Sequence, residues 1–435
     1  MRTLNHMIFW NLLALSGLPA VLFSSITVEN VTVFRIIYVS TILALNISVY
    51  FLSRKNRPKT SRTKRSTIAL VLVFIVCLIY ALYFMYGHIA VESLGGWDAW
   101  IMWTLKARDY ALTFLGGMRF EWIRADWGHP GYPPALPLQI AGLAVLVGGW
   151  SQWIVYAVHL AYWLWTIGMF FDLVRNAEFH PVSVLLIICM LLMDRRVFTV
   201  GDQIADFPLS AILMYVWYVF LVELMPEFDR SERFNVDKPR VFFFGMAFWA
   251  ALSMLLFLKD EGLILAGIHA LGISAVIWKT ALRFPRSWYS VGAVLFCFAL
   301  GLLWLFKHNS PEVFQFKVEP MDIVVAMCSL ERWLNVIVFT IFYLDWHWWM
   351  PVVLPVLSLL WNRKYWWLWL PMVIGHAVYA FLFIITPFDQ MHHLNTAYPR
   401  ILQHYLPAMY ALTAWTLFET RPLKQPAWVR FLTAK

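Results

Sequence analysis

Apolar runs, most of them close to 20 residues long, recur along almost the whole chain and are separated by short polar or basic stretches. A bilayer core of roughly 30 Å needs about 20 apolar residues per helix, and a helix hides its own amides from lipid. Runs at 7–26, 32–52, 67–87, 152–171, 182–193, 207–225, 241–257, 262–278, 288–306, 345–361, 365–385 and 400–418 therefore predict about twelve transmembrane helices. The run 134–149 is shorter: as a partial or re-entrant segment it does not change sides by itself, and as a full span it would invert several later loops. Because the first run is long enough to span and no convincing small-residue cleavage site follows it, it reads as a retained helix. No repeat, low-complexity segment or separable soluble domain interrupts the pattern, so residues 1–435 are expected to form one all-α, polytopic transmembrane domain.

Composition agrees. Of 435 residues, 61% are apolar and 14% charged, at a mean hydropathy of +0.66. That leaves too little polar surface to coat a soluble globule and too much apolar surface for a disordered chain. The formal charge of +9 comes from basic residues in short loops, which read as topology signals rather than a nucleic-acid footprint. Cys77, Cys189, Cys297 and Cys328 have no CxxC spacing, so no disulfide framework or zinc site is expected.

Charge also orients the chain. The stretch RKNRPKTSRTKR at 54–65 has seven basic and no acidic residues, and the loop 53–66 is expected on the cytoplasmic side. The loops 88–133, 194–206, 258–261, 307–344 and 386–399 then share the outer face and hold most of the polar chemistry.

The longest outer loop opens with GGWDAWIMWTLKARDY at 95–110, spacing Trp97, Trp100 and Trp103 along an interfacial helix. Asp98 lies among tryptophans that lower the local dielectric and raise a carboxylate's basicity; it suits either proton abstraction or the capping of a short helix. In HPGYPPALPL at 129–138, His129 and Tyr132 either bind a substrate oxygen or anchor a proline-set turn. Asp202 and Asp206, four apart, suit a cation or sugar hydroxyls, although a helix N-terminus also favours acids. Lys259, Asp260 and Glu261 interrupt two apolar runs, either as a self-neutralising turn or with Lys259 meeting an anionic ligand. In TPFDQMHHLNTAYPRILQHYLPA at 386–408, Arg400 and His404 offer donors on one helical face to a phosphate, with Asp389, His393 and Gln403 nearby. Arg400 also suits a snorkelling role at the interface. The histidine spacing is not specific for zinc.

The order of an acid after an early helix, a long outer loop, an acid pair opening a middle helix and an arginine on the last helix resembles the GT-C superfamily of membrane glycosyltransferases. More narrowly, WDAWIMWTLKAR, HPGYPPALPL, ADFPLSA, KDEGL and TPFDQMHHLNTAYPRILQHYLPA resemble blocks of a bacterial group near the protein-mannosyltransferase and RgtA/B/C/D-like families, over about residues 67–418. Gly131 and Asp260 depart from that group, which usually has Asp and Asn there. The departure at Gly131 weakens a sugar-binding role for that position, and the one at Asp260 alters the charge balance around Lys259 and Glu261.

The resemblance implies a GT-C-like bundle of about 12–13 helices in a bacterial inner membrane, with the site facing the periplasm or exterior. It implies inverting transfer of a sugar from a polyprenyl-phosphate donor to a lipid, glycan or protein acceptor. Asp98 would be the base, Arg400 and Lys259 the donor-phosphate contacts, and His129, Tyr132, Asp202, Asp206, Glu261, Asp389, His393, Gln403 and His404 the substrate-binding residues. No cofactor is implied with certainty, and a divalent cation stays open. A lipid or sugar transporter or flippase, or a non-catalytic subunit of a glycan assembly complex, shares the composition; internal symmetry and charges near helix midpoints would mark a transporter.

Overall fold

The computed structural model describes residues 2–25, 31–54, 99–116, 131–176, 205–226, 238–281, 286–309, 319–343, 350–361 and 363–418, with seven further positions between 72 and 86. Among the described residues the chain is helical without a strand. Among the described residues, five helices are long and apolar enough to cross a membrane, or six if one bent pair counts as a single span. The chain is therefore an all-α polytopic membrane protein. The predicted span at 182–193 lies outside the described residues. Of the span at 67–87 only scattered positions such as Leu72, Ile75, Ile79 and Tyr83 are described, all helical and exposed.

In chain order the elements begin with α1 (Arg2–Ser25) and α2 (Val31–Arg54), which pack on each other. Next, α3 starts as a π-helical turn, Ala99–Thr104, and continues as Leu105–Leu115. The short α4 (Ala135–Val147) packs on α1 and α3. At about 1.5 Å per residue it reaches only ~20 Å, too little to cross. Gly148 ends it at φ 96, a left-handed position that glycine enters without a Cβ penalty.

The centre of the bundle is α6. It runs α-helically over Asp206–Tyr218 and as a π-helical segment over Val219–Leu224, long enough to cross and buried along almost its whole length. Around it stand α5 (Gln152–Asn176), α7 (Lys238–Leu258) and α15 (Tyr398–Phe418), the last making the most extensive helix pairing in the fold. Beyond them lie α8 (Glu261–Ala281), α9 (Arg286–Asn309), α12 (Met350–Trp361) and α13, a 3-10 turn at Arg363–Trp369 continued by Leu370–Ile385. Where α7 meets α9, Gly292 lies against the Trp249 ring with no room for a side chain, the close approach that small residues permit between membrane helices.

The loop 307–344, read from sequence only as an outer loop, folds into α10 (Pro320–Cys328) and α11, α-helical over Leu330–Val338 and π-helical over Phe339–Tyr343. A second short helix, α14 (Gln390–Thr396), precedes α15. Proline at the first turn of α10 and the Ser329 hydroxyl accepting from Arg332 N at the head of α11 start these two helices.

Alternation of direction puts the starts of α6, α8 and α15 and the ends of α7, α9 and α13 at one end of the bundle. A different buried cluster closes the other end. Arg2 donates to Glu223 through two nitrogens and to Val222 O at 3.1 Å. His6 places Nε2 3.1 Å from Glu223 Oε1 and Nδ1 2.7 Å from the Tyr215 hydroxyl. Tyr218 donates to Asp172 Oδ2 at 2.6 Å, which joins α5 to the same end of α6. Thus α1 is tied to the central helix by charge, which its apolar pattern did not reveal.

Candidate functional site

At the opposite end, the first residue of α6 is a carboxylate with no exposed surface. Asp206 accepts from Lys259 Nζ at 2.6 Å and lies 2.5 Å from His404 Nε2, both through Oδ1. Its Oδ2 accepts from Arg400 Nε at 3.3 Å and from a terminal guanidinium nitrogen at 3.1 Å. Helices α6 and α15 and the turn between α7 and α8 are thereby joined at one anion. Ser210, one turn further along α6, donates to Asp206 O at 2.7 Å and Gln403 O at 3.0 Å, fixing the register of α6 against α15.

Such a carboxylate is held by paired charge rather than by solvent, which is the condition under which an ionised group persists in an interior. Lys259 also meets Glu261 Oε1 at 3.1 Å. Burial works against the Lys259 charge, yet Asp206 and Glu261 hold its ammonium above the ordinary lysine range. Glu261 keeps one buried oxygen, Oε2, without a hydrogen-bond partner, and His404 does the same with Nδ1.

A second layer adjoins the first. Lys307, from the end of α9, contacts Asp260 Oδ1 at 2.6 Å and stands 5.9 Å from the centre of the Tyr132 ring. Lys106 of α3 donates to Tyr132 O at 2.9 Å. Burial, followed by repulsion from Lys307, brings the Lys106 amine down to about 7, with Asp260 opposing. The Tyr132 hydroxyl is pushed up by burial and by Glu261. With Lys106 protonated, Lys106, Lys259, Lys307 and Arg400 exceed the acids they adjoin, Asp206, Asp260 and Glu261, by one charge, an excess that is lost as Lys106 gives up its proton.

The structure therefore brings together Tyr132, Asp206, Lys259, Glu261, Arg400 and His404 from the sequence-predicted set. Asp206, expected to touch sugar hydroxyls, is enclosed by Lys259, Arg400 and His404 instead. Arg400 and Lys259, expected to hold a phosphate, each have a carboxylate partner here. Asp389 is exposed and caps α14 by accepting from His392 N at 2.7 Å. His393 bonds the Thr386 hydroxyl at 2.8 Å and lies edge-on to Phe383 and Phe388, with burial and the neighbouring His392 lowering its basicity. Gln403 contributes its backbone carbonyl to Ser210. Asp98, His129 and Asp202 lie outside the described residues.

Lys106, Lys307 and Ser210 were not singled out from sequence. Lys106 had a signal, a lysine one helical turn after Trp103 in a tryptophan-rich interfacial stretch; Lys307 and Ser210 had none beyond their position at helix ends. Among the described residues, no three His, Cys, Asp or Glu side chains converge as metal ligands would. No family model, curated protein or solved structure matches this chain.

Proposed function

We propose that the protein is a membrane glycosyltransferase of GT-C type that takes a sugar from a polyprenyl-phosphate donor and passes it to an acceptor hydroxyl at the outer face. The supporting observation is the convergence of Asp206, Lys259, Glu261, Tyr132 and Arg400 at one end of the bundle, from four blocks of the chain far apart in sequence. Lys106 binds this group from α3, which begins at Ala99, so the segment following Asp98 is tied to the same end.

In this reading Asp206 is a positioning residue: by holding Arg400 and Lys259 it aims two cations that would otherwise sample many rotamers. Arg400, with about a third of its side chain exposed, meets the donor phosphate together with Lys259, and the nearby Lys106 and Lys307 raise the local potential. The acceptor oxygen attacks the anomeric carbon while Asp98 takes its proton. The bond from that carbon to the phosphate oxygen breaks, and polyprenyl phosphate departs with the electron pair. Because the leaving group is already a stable anion, no strong general acid is needed. One displacement inverts the anomeric centre. A lipid-linked donor also gives the membrane helices a purpose, since it is reached from within the bilayer. About a dozen helices, a bacterial inner-membrane location and an outward-facing site belong to the same proposal, as do His129 and Asp202 as substrate contacts.

The test is transfer from radiolabelled polyprenyl-phosphate sugars by the full chain reconstituted in vesicles. Asp98→Asn is expected to abolish transfer while donor binding persists, and Arg400→Ala to weaken donor binding. Wild-type turnover by Asp98→Asn removes that residue from the mechanism. Donor binding without transfer to any acceptor in an envelope extract would assign the chain a non-catalytic role in glycan assembly.

A further inference from the structure

The segment 319–343 carries a feature that the catalytic proposal does not use. Helices α10 and α11 meet at Ser329 with a bend of 67°. At about 1.5 Å per residue the nine-residue α10 reaches only ~14 Å, so it cannot cross a bilayer alone. Yet its side chains are those of a membrane helix: Val324 and Val325 are more than half exposed, as is Met321.

The apolar face continues past the bend. On α11, Leu330, Trp333, Leu334, Ile337, Val338 and Ile341 recur at spacings of one, three and four, all exposed, whereas Val336 and Phe339 turn inward and are buried. A contiguous exposed apolar face of this kind marks a surface that meets a membrane or another apolar partner.

The inner face sets its depth. Arg332 donates to Ile384 O at 2.6 Å and Thr386 O at 2.9 Å, the carbonyls where the spanning helix α13 ends. Gln390 reinforces this by donating to Arg332 O at 2.9 Å and Phe383 O at 3.2 Å, while Asn335 donates to Gln390 Oε1 at 3.1 Å. The Arg332 end of α11, pinned to the terminus of a membrane span, lies at the boundary between acyl chains and headgroups. The exposed Val373, Ile374 and Leu382 of α13 continue the same apolar belt toward the middle of the bundle, and the exposed acids Glu319, Asp322 and Glu331 flank the elbow.

We propose that the α10–α11 elbow is an interfacial membrane-docking element whose apolar face is covered by the acyl chains of bilayer lipids, at the end of the bundle that carries Asp206. It reaches the site through Thr340, whose hydroxyl lies 3.2 Å from that of Tyr398, two residues before Arg400. The inference does not depend on sugar transfer: an elbow seated in lipid is equally compatible with a failed transferase assay.

Site-directed spin labels on the full chain, in a background with its cysteines replaced by serine and its helicity verified, test it in phosphatidylcholine and phosphatidylglycerol vesicles. Labels at Val325, Leu334 and Val338 are expected to collide with dissolved oxygen several-fold more than with a water-soluble nickel chelate, and a control label at Asp389 to show the reverse. A nickel preference at Leu334 and Val338 places the face in water and overturns the proposal. Low access to both agents, with spin–spin broadening that disappears on mixing with unlabelled protein, assigns the face to a second copy of the chain and overturns it too. As a second measurement, Leu334→Trp in a Trp333→Phe background should add emission that is quenched by lipids brominated on the upper acyl chain; absence of added quenching counts against the proposal.

Discussion

Asp206→Asn keeps the size and shape of the side chain and removes only its charge. The native carboxylate has Lys259 at 2.6 Å and His404 at 2.5 Å on one oxygen and Arg400 at 3.1 Å on the other. At an effective dielectric of about 20, a unit pair at the Lys259 distance has a gross attraction of ~6 kcal/mol. Much of that is offset by relief from desolvating the carboxylate, and Lys259 retains Glu261 at 3.1 Å. Truncating one partner of a buried pair costs about 3–5 kcal/mol, and the surviving Glu261 contact favours the lower end, ~3 kcal/mol. Thermal unfolding in detergent, followed by circular dichroism, should therefore show a fall of a few degrees. Combining Asp206→Asn with Lys259→Met should lose less than the sum of the single changes, because the second removes the charge that the first strands. Additive losses, or a melting temperature for Asp206→Asn within error of the parent, would refute the idea that this anion holds α6, α15 and the α7–α8 turn together.

At the opposite end, Glu223→Gln strands Arg2 and His6 and should also destabilise by about 3 kcal/mol; proteolysis near the N-terminus should accelerate if α1 is released. Lys106 gives a pH signature. Its folded value near 7 lies below the ordinary lysine value of 10.5, so between these limits the unfolded chain binds a proton that the native amine declines. Stability from this residue is then full above about pH 10.5 and falls progressively as pH drops towards 7. Lys106→Met should flatten that portion of the stability profile, and an unchanged slope would show that Lys106 does not produce it.

The helical runs were legible because lipid imposes one solution on any long apolar stretch. Helices α1, α2, α5, α6, α7, α8, α9 and α15 lie within a few residues of the apolar runs that predict them. The shortness of the run at 134–149 was legible for the same reason, and its helix has only thirteen residues. The α10–α11 elbow was not. Its apolar residues fall in two short pieces, neither long enough for a spanning pattern, and only Arg332 reaching the end of α13 gives them a depth.

For the site, the sequence marked ionisable residues at helix ends, where lipid tolerates them only with partners, and so pointed to Asp206, Lys259, Glu261 and Arg400 one by one. It did not say which would pair. That Asp206 faces Lys259, His404 and Arg400, while Asp389 caps a short helix and His393 bonds Thr386, depends on distances between residues up to 198 positions apart. Local pattern sets which groups must be satisfied, because burial without a partner is costly at any position. Only the packing of one helix against another chooses the partner, because that choice is made by side chains that share no neighbourhood along the chain.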